Sequence, residues 1–152
     1  VSTTFAVASM IPAVKARVIA LLTDETAFAG LQLSYSQPAT RLERSSFWLG
    51  ETTGRHDISA IRAGRKPRTE TFEIDGYIYV WKPSGRPEEA EAEAFTLLAA
   101  IEDVLADAPQ LDLGPSLQWA KVGAIKGTDC GPRETGADAV IHFAIECQAR
   151  LD

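Results

Sequence analysis

The stretch that decides the fold is Pro87–Ala108, PEEAEAEAFTLLAAIEDVLADA. Its apolar residues fall at Ala90, Ala94, Leu97, Leu98, Ile101, Val104, Leu105 and Ala108. Steps of three and four trace one stripe along an α-helix. Pro87 suits the first helical turn, where a missing N–H costs nothing. Glu88, Glu89 and Glu91 then sit at the positive end of the helix dipole, and Pro109 ends the run. Candidate strands lie on both sides, so the stripe is expected to face a sheet.

On the C-terminal side, Leu117–Ile125 (LQWAKVGAI) reads as a strand. Lys126–Gly136 (KGTDCGPRETG), with its glycines and proline, reads as a loop. In Ala137–Leu151, Ile141, Phe143, Ile145, Cys147, Ala149 and Leu151 alternate with His142, Ala144, Glu146, Gln148 and Arg150, the pattern of a half-buried closing strand.

On the N-terminal side, Thr69–Lys82 (TETFEIDGYIYVWK) carries the strongest β signal. Asp75-Gly76 is a two-residue turn signal, so two strands of a hairpin are expected, with Ile74 facing Tyr77 and Phe72 facing Tyr79. Ser45–Glu51 (SSFWLGE) is a strand whose adjacent Phe47 and Trp48 point to opposite faces. Leu31–Ser36 is a strand stopped by Pro38. Between these strands and the hairpin, residues 53–68 form a long polar loop holding Arg55, Arg62, Arg65, Lys66 and Arg68. A loop of that length inside a compact domain reads as functional. Ile11, Val14, Val18, Leu21 and Leu22 share one face of a first helix, with Ser9 as N-cap and Gly30 as stop. Residues 1–9 form an extended arm. The expected class is α+β, a mostly antiparallel sheet with two helices packed on one face, in the order α-β-β-β-β-α-β-β, as one domain over 1–152.

The 152 residues carry a net charge of −6, which argues against a general nucleic-acid binder. No run approaches the roughly 18 apolar residues of a membrane span. The first nine residues lack the charged start of a signal peptide. Val1 fits either a GTG start codon translated literally or a cloning remnant, and the first reading points to a bacterial or phage gene. Cys130 and Cys147 match no zinc or disulfide spacing, and Cys147 falls in the buried row of the last strand.

Catalytic, cofactor and metal signals are absent from the sequence. His56 and His142 have no spaced partner that would make a metal site. Asp129-Cys130 lacks a base to activate the thiol. No phosphate-binding loop motif occurs. Two charge features stand out instead. Between Glu88 and Ala108 there are acids and no base, with Glu91, Glu102 and Asp103 on the exposed side. Opposite in sign is the loop from Arg55 to Arg68. The bland reading of both is solvated surface. The sharper one has basic loop and acidic face meeting across a subunit contact.

The assembled pattern resembles the siphophage tail terminator family. The carrying features are the helix IPAVKARVIALL, the strand LQLSYSQP, the strand SSFWLGE, the TFEIDGYIYVW segment, the acidic helix EEAEAEAFTLLAAIEDVL and the closing strand pair. They span the chain from about Met10. The resemblance implies a structural virion protein of the tail and neck, assembled in the host cytoplasm, and no enzyme. It implies a homo-hexameric ring that stops tail-tube polymerisation and joins the tube to the head connector or stopper, with no membrane partner. DNA would pass through the lumen without specific binding, helped by like charge. Phe47, Trp48, Tyr77, Tyr79 and Trp81 are the expected subunit interface. Arg55, Arg62, Arg65, Lys66 and Arg68 form the expected docking loop, and Glu91, Glu102 and Asp103 the face toward lumen or neighbour. The alternatives are a head-closure stopper, a tail tube subunit, or a small non-phage bacterial binding module.

Overall fold

The computed structural model describes residues 8–39, 45–58 and 68–151. Helix α1 (Ile11–Thr23) leads through a short 3-10 turn to strand β1 (Gln32–Ser34). Strands β2 (Ser46–Ile58) and β3 (Arg68–Lys82) precede helix α2 (Pro87–Asp107), and β4 (Leu117–Pro132) and β5 (Ala137–Leu151) follow it. One sheet results, in the order β1-β2-β3-β5-β4. All its pairings are antiparallel except that of β1 with β2. The class is α+β, as the periodicities indicate.

The stripe of α2 does what its spacing demands. Ala90, Ala94, Leu97, Leu98, Ile101, Val104 and Leu105 are all buried. They meet Phe72, Ile74, Ile78 and Val80 of β3, Ile141, Phe143 and Ile145 of β5, and Phe47 and Leu49 of β2 in one core. Val14, Val18 and Leu22 of α1 join it. Burying each such side chain is worth roughly 1.5–3 kcal/mol. The N-cap of α1 is Met10, one residue later than expected and without a side-chain cap, while Ser9 Oγ accepts from the N–H of Ile11 at 3.0 Å. The chain after α2 is held by α1: Arg17 Nε donates to the Leu111 carbonyl at 3.0 Å and its Nη2 meets Asp112 at 2.6 Å. Leu111 is fully buried there with φ 51°.

The expected hairpin does not form. Residues 68–82 are one strand, in continuous register with β5. Asp75 pairs with Ala144 and Gly76 with Phe143. A Cβ built on Gly76 would lie 2.8 Å from the Phe143 ring, so the ring fills the space the glycine leaves open. The sheet therefore has five strands where a hairpin would have made six.

Two loops are also shorter than expected. Residues 53–58 continue β2, paired with Glu73 through Arg68 of β3. Lys126–Pro132 continues β4, with Gly127 through Pro132 paired to His142 through Ala137. In both places a partner backbone outweighs weak β propensity. The arm over residues 1–7 and loop residues 59–67 lie outside the described residues.

Gly76→Ala should lower the urea midpoint with little change in m, a loss of about 1–3 kcal/mol from overpacking against Phe143. An unchanged midpoint would contradict the continuous strand.

Candidate functional site

Successive residues of a strand face opposite ways, so the helices cover only one side of this sheet. On the other side a row of rings crosses three strands. Trp48 of β2, Tyr77 of β3 and His142 of β5 are register partners. Trp48 and Tyr77 stack with centroids 5.3 Å apart, and Tyr77 and His142 at 4.4 Å. Offset stacks of this kind add roughly 0.5–1.5 kcal/mol beyond burial.

Charged groups flank the row. Lys126 Nζ lies 2.7 Å from Asp75 Oδ1 and 3.5 Å from Glu73. His142 Nε2 is 3.3 Å from Asp75 Oδ2, near enough for attraction but off the hydrogen-bond direction. Burial alone would raise the Asp75 pKa. The Lys126 hydrogen bond and the His142 contact outweigh it, so the carboxyl sits below its ordinary value. Lys126 is held above its usual range, chiefly by Asp75. Next to the row, the Tyr79 hydroxyl donates to Asp138 at 2.9 Å, and Arg133 donates to the same hydroxyl. Burial first, then Asp138, raises the Tyr79 pKa. The Arg133 guanidinium lies 5.2 Å from the Trp81 ring centre, whose Nε1–H donates to the Thr135 carbonyl.

Four of the five expected interface residues thus share this outer face. Trp48 and Tyr79 are largely buried among their neighbours, while Tyr77 and Trp81 are half-buried. Phe47 does not belong with them. It is 0% exposed on the helix side, tilted against Phe143 with centroids 6.2 Å apart. Of the expected basic loop, Arg55 stands exposed on β2, 3.4 Å from Asp57, and Arg68 opens β3. Arg62, Arg65 and Lys66 lie outside the described residues. On α2, Glu102 and Asp103 are exposed and Glu91 is half-buried beside the Cys130 thiol, whose pKa it raises. Lys82 meets Glu93 at 3.1 Å, and Arg86 meets Glu88 and Glu89.

One polar tie escapes a reading by periodicity. Glu70 is 1% exposed on the helix side. Its Oε1 accepts from the Met10 N–H at 2.7 Å, and its Oε2 lies 2.8 Å from His56 Nε2. A buried carboxylate needs such partners, and here they fasten the start of α1 to the sheet. The cross-strand pairing of His56 with Glu70 is the signal that would have revealed it, and that pairing depends on β2 extending through residues 53–58.

Chemically, the outer face offers stacking surface and paired charges. A groove of about 570 Å³ between α2 and β4 is lined mainly by Leu105, Ala106, Pro109, Trp119, Ala120 and Val122. Among the described residues, no group of three His, Cys, Asp or Glu could hold a metal ion. Among them too, no helix is long and apolar enough to cross a membrane.

No family model matches the chain, and no curated protein matches it. Among solved structures, it is similar to a chain of the virion of a native gene transfer agent particle, with a TM-score of 0.61 and 17% sequence identity. The match covers 95% of this chain and 99% of that one. At this identity the likeness is one of fold.

The Asp75 pair predicts a pH dependence. A carboxyl with a lowered folded pKa contributes stability above its unfolded value of about 3.9, lost as pH falls through the folded value. Lys126→Met removes the main lowering contact. Wild type should therefore be more stable than the variant at about pH 6, with the gap in urea midpoint shrinking below about pH 4. A gap independent of pH would show that Lys126 acts by packing alone.

Proposed function

We propose that this chain is a structural subunit of a phage-like virion, a tail terminator whose ring caps the tail tube and joins it to the head connector. The observation that carries the reading is the fold likeness, which spans nearly the whole of both this chain and a component of a virion particle. The resemblance of its elements to the terminator family points the same way. The subunit works as a homo-hexamer in the tail and neck, with the tube protein and the connector or stopper as partners. It performs no catalysis and uses no cofactor.

Trp48, Tyr77, Tyr79 and Trp81 form a contact face for a neighbouring subunit in this reading. Their arrangement suits the role: stacked rings hold each other rigid, so ordering them on association costs little entropy. Arg62, Arg65, Lys66 and Arg68 dock on tube or connector. Glu91, Glu102 and Asp103 face the lumen or a neighbour, where like charge lets DNA slide past.

The experiment is deletion of the gene in the particle that encodes it. A terminator's loss gives tubes of excess and irregular length without joined heads. Tubes of normal length left unjoined would indicate a stopper instead, and absence of tubes a tube subunit. Reversal of Arg62, Arg65 and Arg68 to Glu should leave the thermal midpoint unchanged while blocking head–tail joining. Normal particle yield from that variant would reject the docking role.

A further inference from the structure

Among the described residues, two long stretches of sheet edge have no strand paired to them. On one side, β1 covers only Ser46–Trp48 of β2. Beyond that point β2 runs through Thr52–Asp57 with β3 on its inner side. Among the described residues, no strand pairs on its outer side. On the other side, β4 pairs with β5 alone. Its lower part is closed off where the Ala120 N–H donates to the Pro109 carbonyl at 2.8 Å. From Ala124 to Cys130 it is exposed. Such an edge is a row of backbone donors and acceptors, and what it recognises is another extended strand.

Strand polarity says which strand fits. From β2 through β3 and β5 to β4, direction reverses at every step, so β4 runs opposite to β2. In a second copy placed side by side by rotation, β2 keeps its direction. The β4 edge of one copy therefore meets the β2 edge of the next antiparallel, the pairing that dominates the rest of the sheet. Charge fits as well. Arg55 pairs with Thr71, and Asp129 with Val140, which puts both on the face that carries Tyr77 and Tyr79. With Arg55 opposite Asp129, Asp57 falls opposite Gly127, beside Lys126.

We propose that Thr52–Asp57 of one copy pairs antiparallel with Gly127–Pro132 of the next, carrying a single sheet from subunit to subunit. This deepens the ring reading and rests on it for closure. It uses both edges at once, as a heterologous interface must, whereas a two-fold pairing would use one and leave the other open. Neighbours are offset along the strands by roughly eight residues, about 27 Å. An offset of this kind is what lets a sheet of tilted strands close on itself.

The test is site-directed cross-linking in a Cys130→Ser background, where the remaining Cys147 is buried. Native mass first establishes rings for the unmodified chain. Under mild oxidation, the chain carrying both Arg55→Cys and Asp129→Cys should give a ladder of covalent multimers. An equal mixture of the two single variants should give a dimer, and each single variant alone none. A dimer from either single variant would mean two-fold pairing and overturn the proposal. Rings of normal mass that never cross-link would overturn it while leaving the ring reading intact, and a chain that forms no rings removes both. If the cysteine variants do not assemble, charge reversal decides. Arg55→Asp and Asp129→Arg should each weaken association about tenfold and restore it when combined. No restoration would overturn the proposal.

Discussion

Fifteen residues of β3 lie in unbroken antiparallel register with fifteen of β5, from Arg68 opposite Leu151 to Lys82 opposite Ala137. The rest of the structure depends on this ladder. Because side chains alternate across a strand, fixing one register fixes the content of both faces. The helix side receives Phe72, Ile74, Ile78 and Val80 with Ile141, Phe143, Ile145 and Cys147, all buried. The outer side receives Glu73, Asp75, Tyr77, Tyr79 and Trp81 with Asp138, His142 and Glu146. A slip of one residue would turn the core outward and put Asp75 against α2.

The two faces are held by different physics. The helix side is apolar packing, sealed by the stripe of α2 and extended by α1. Its one buried carboxylate among the described residues, Glu70, is held by the Met10 N–H and His56. The outer side is rings stacked on rings, with ion pairs at their margins. That ordered outer face, together with the parts of the β2 and β4 edges that no described strand covers, is where the chain has structure to offer a partner.

Much of this was legible in the sequence. The period of Ala90, Ala94, Leu97, Leu98 and Ile101 has one helical solution, and the alternation through Ile141–Leu151 has one strand solution. The region around Asp75-Gly76 was ambiguous for a definite reason. All five residues of Tyr77–Trp81 are apolar, so either parity could be taken as the buried one. The turn signal then favoured a hairpin, and only the partner strand reveals that the Phe143 ring fills the place of a Gly76 side chain. The same limit hid the upper half of β4, where Gly127 and Gly131 suggest a loop until β5 is laid beside them. Of the expected interface, Tyr77, Tyr79 and Trp81 share a face by parity, and only the register of β2 on β3 brings Trp48 beside them. Phe47 was grouped with them although, adjacent to Trp48 in a strand, it had to face the other way. The acids of α2 were legible as an exposed face. Glu70 was not, since a lone acid in a strand carries no mark of burial.

The acidic side of α2 and the charged ends of the outer face give the subunit little as an isolated molecule. Exposed pairs such as Arg86 with Glu88 and Glu89 add little, because water screens them. In the proposed ring such charges would fix the orientation of neighbouring copies and repel DNA from the channel wall. The central claim is therefore that this chain works as a closed ring. Its most direct test is the mass and image of the purified protein, free and with tail tubes. The account predicts a six-fold ring seated at one tube end. A chain that stays monomeric at high concentration and leaves the tube ends bare would contradict it.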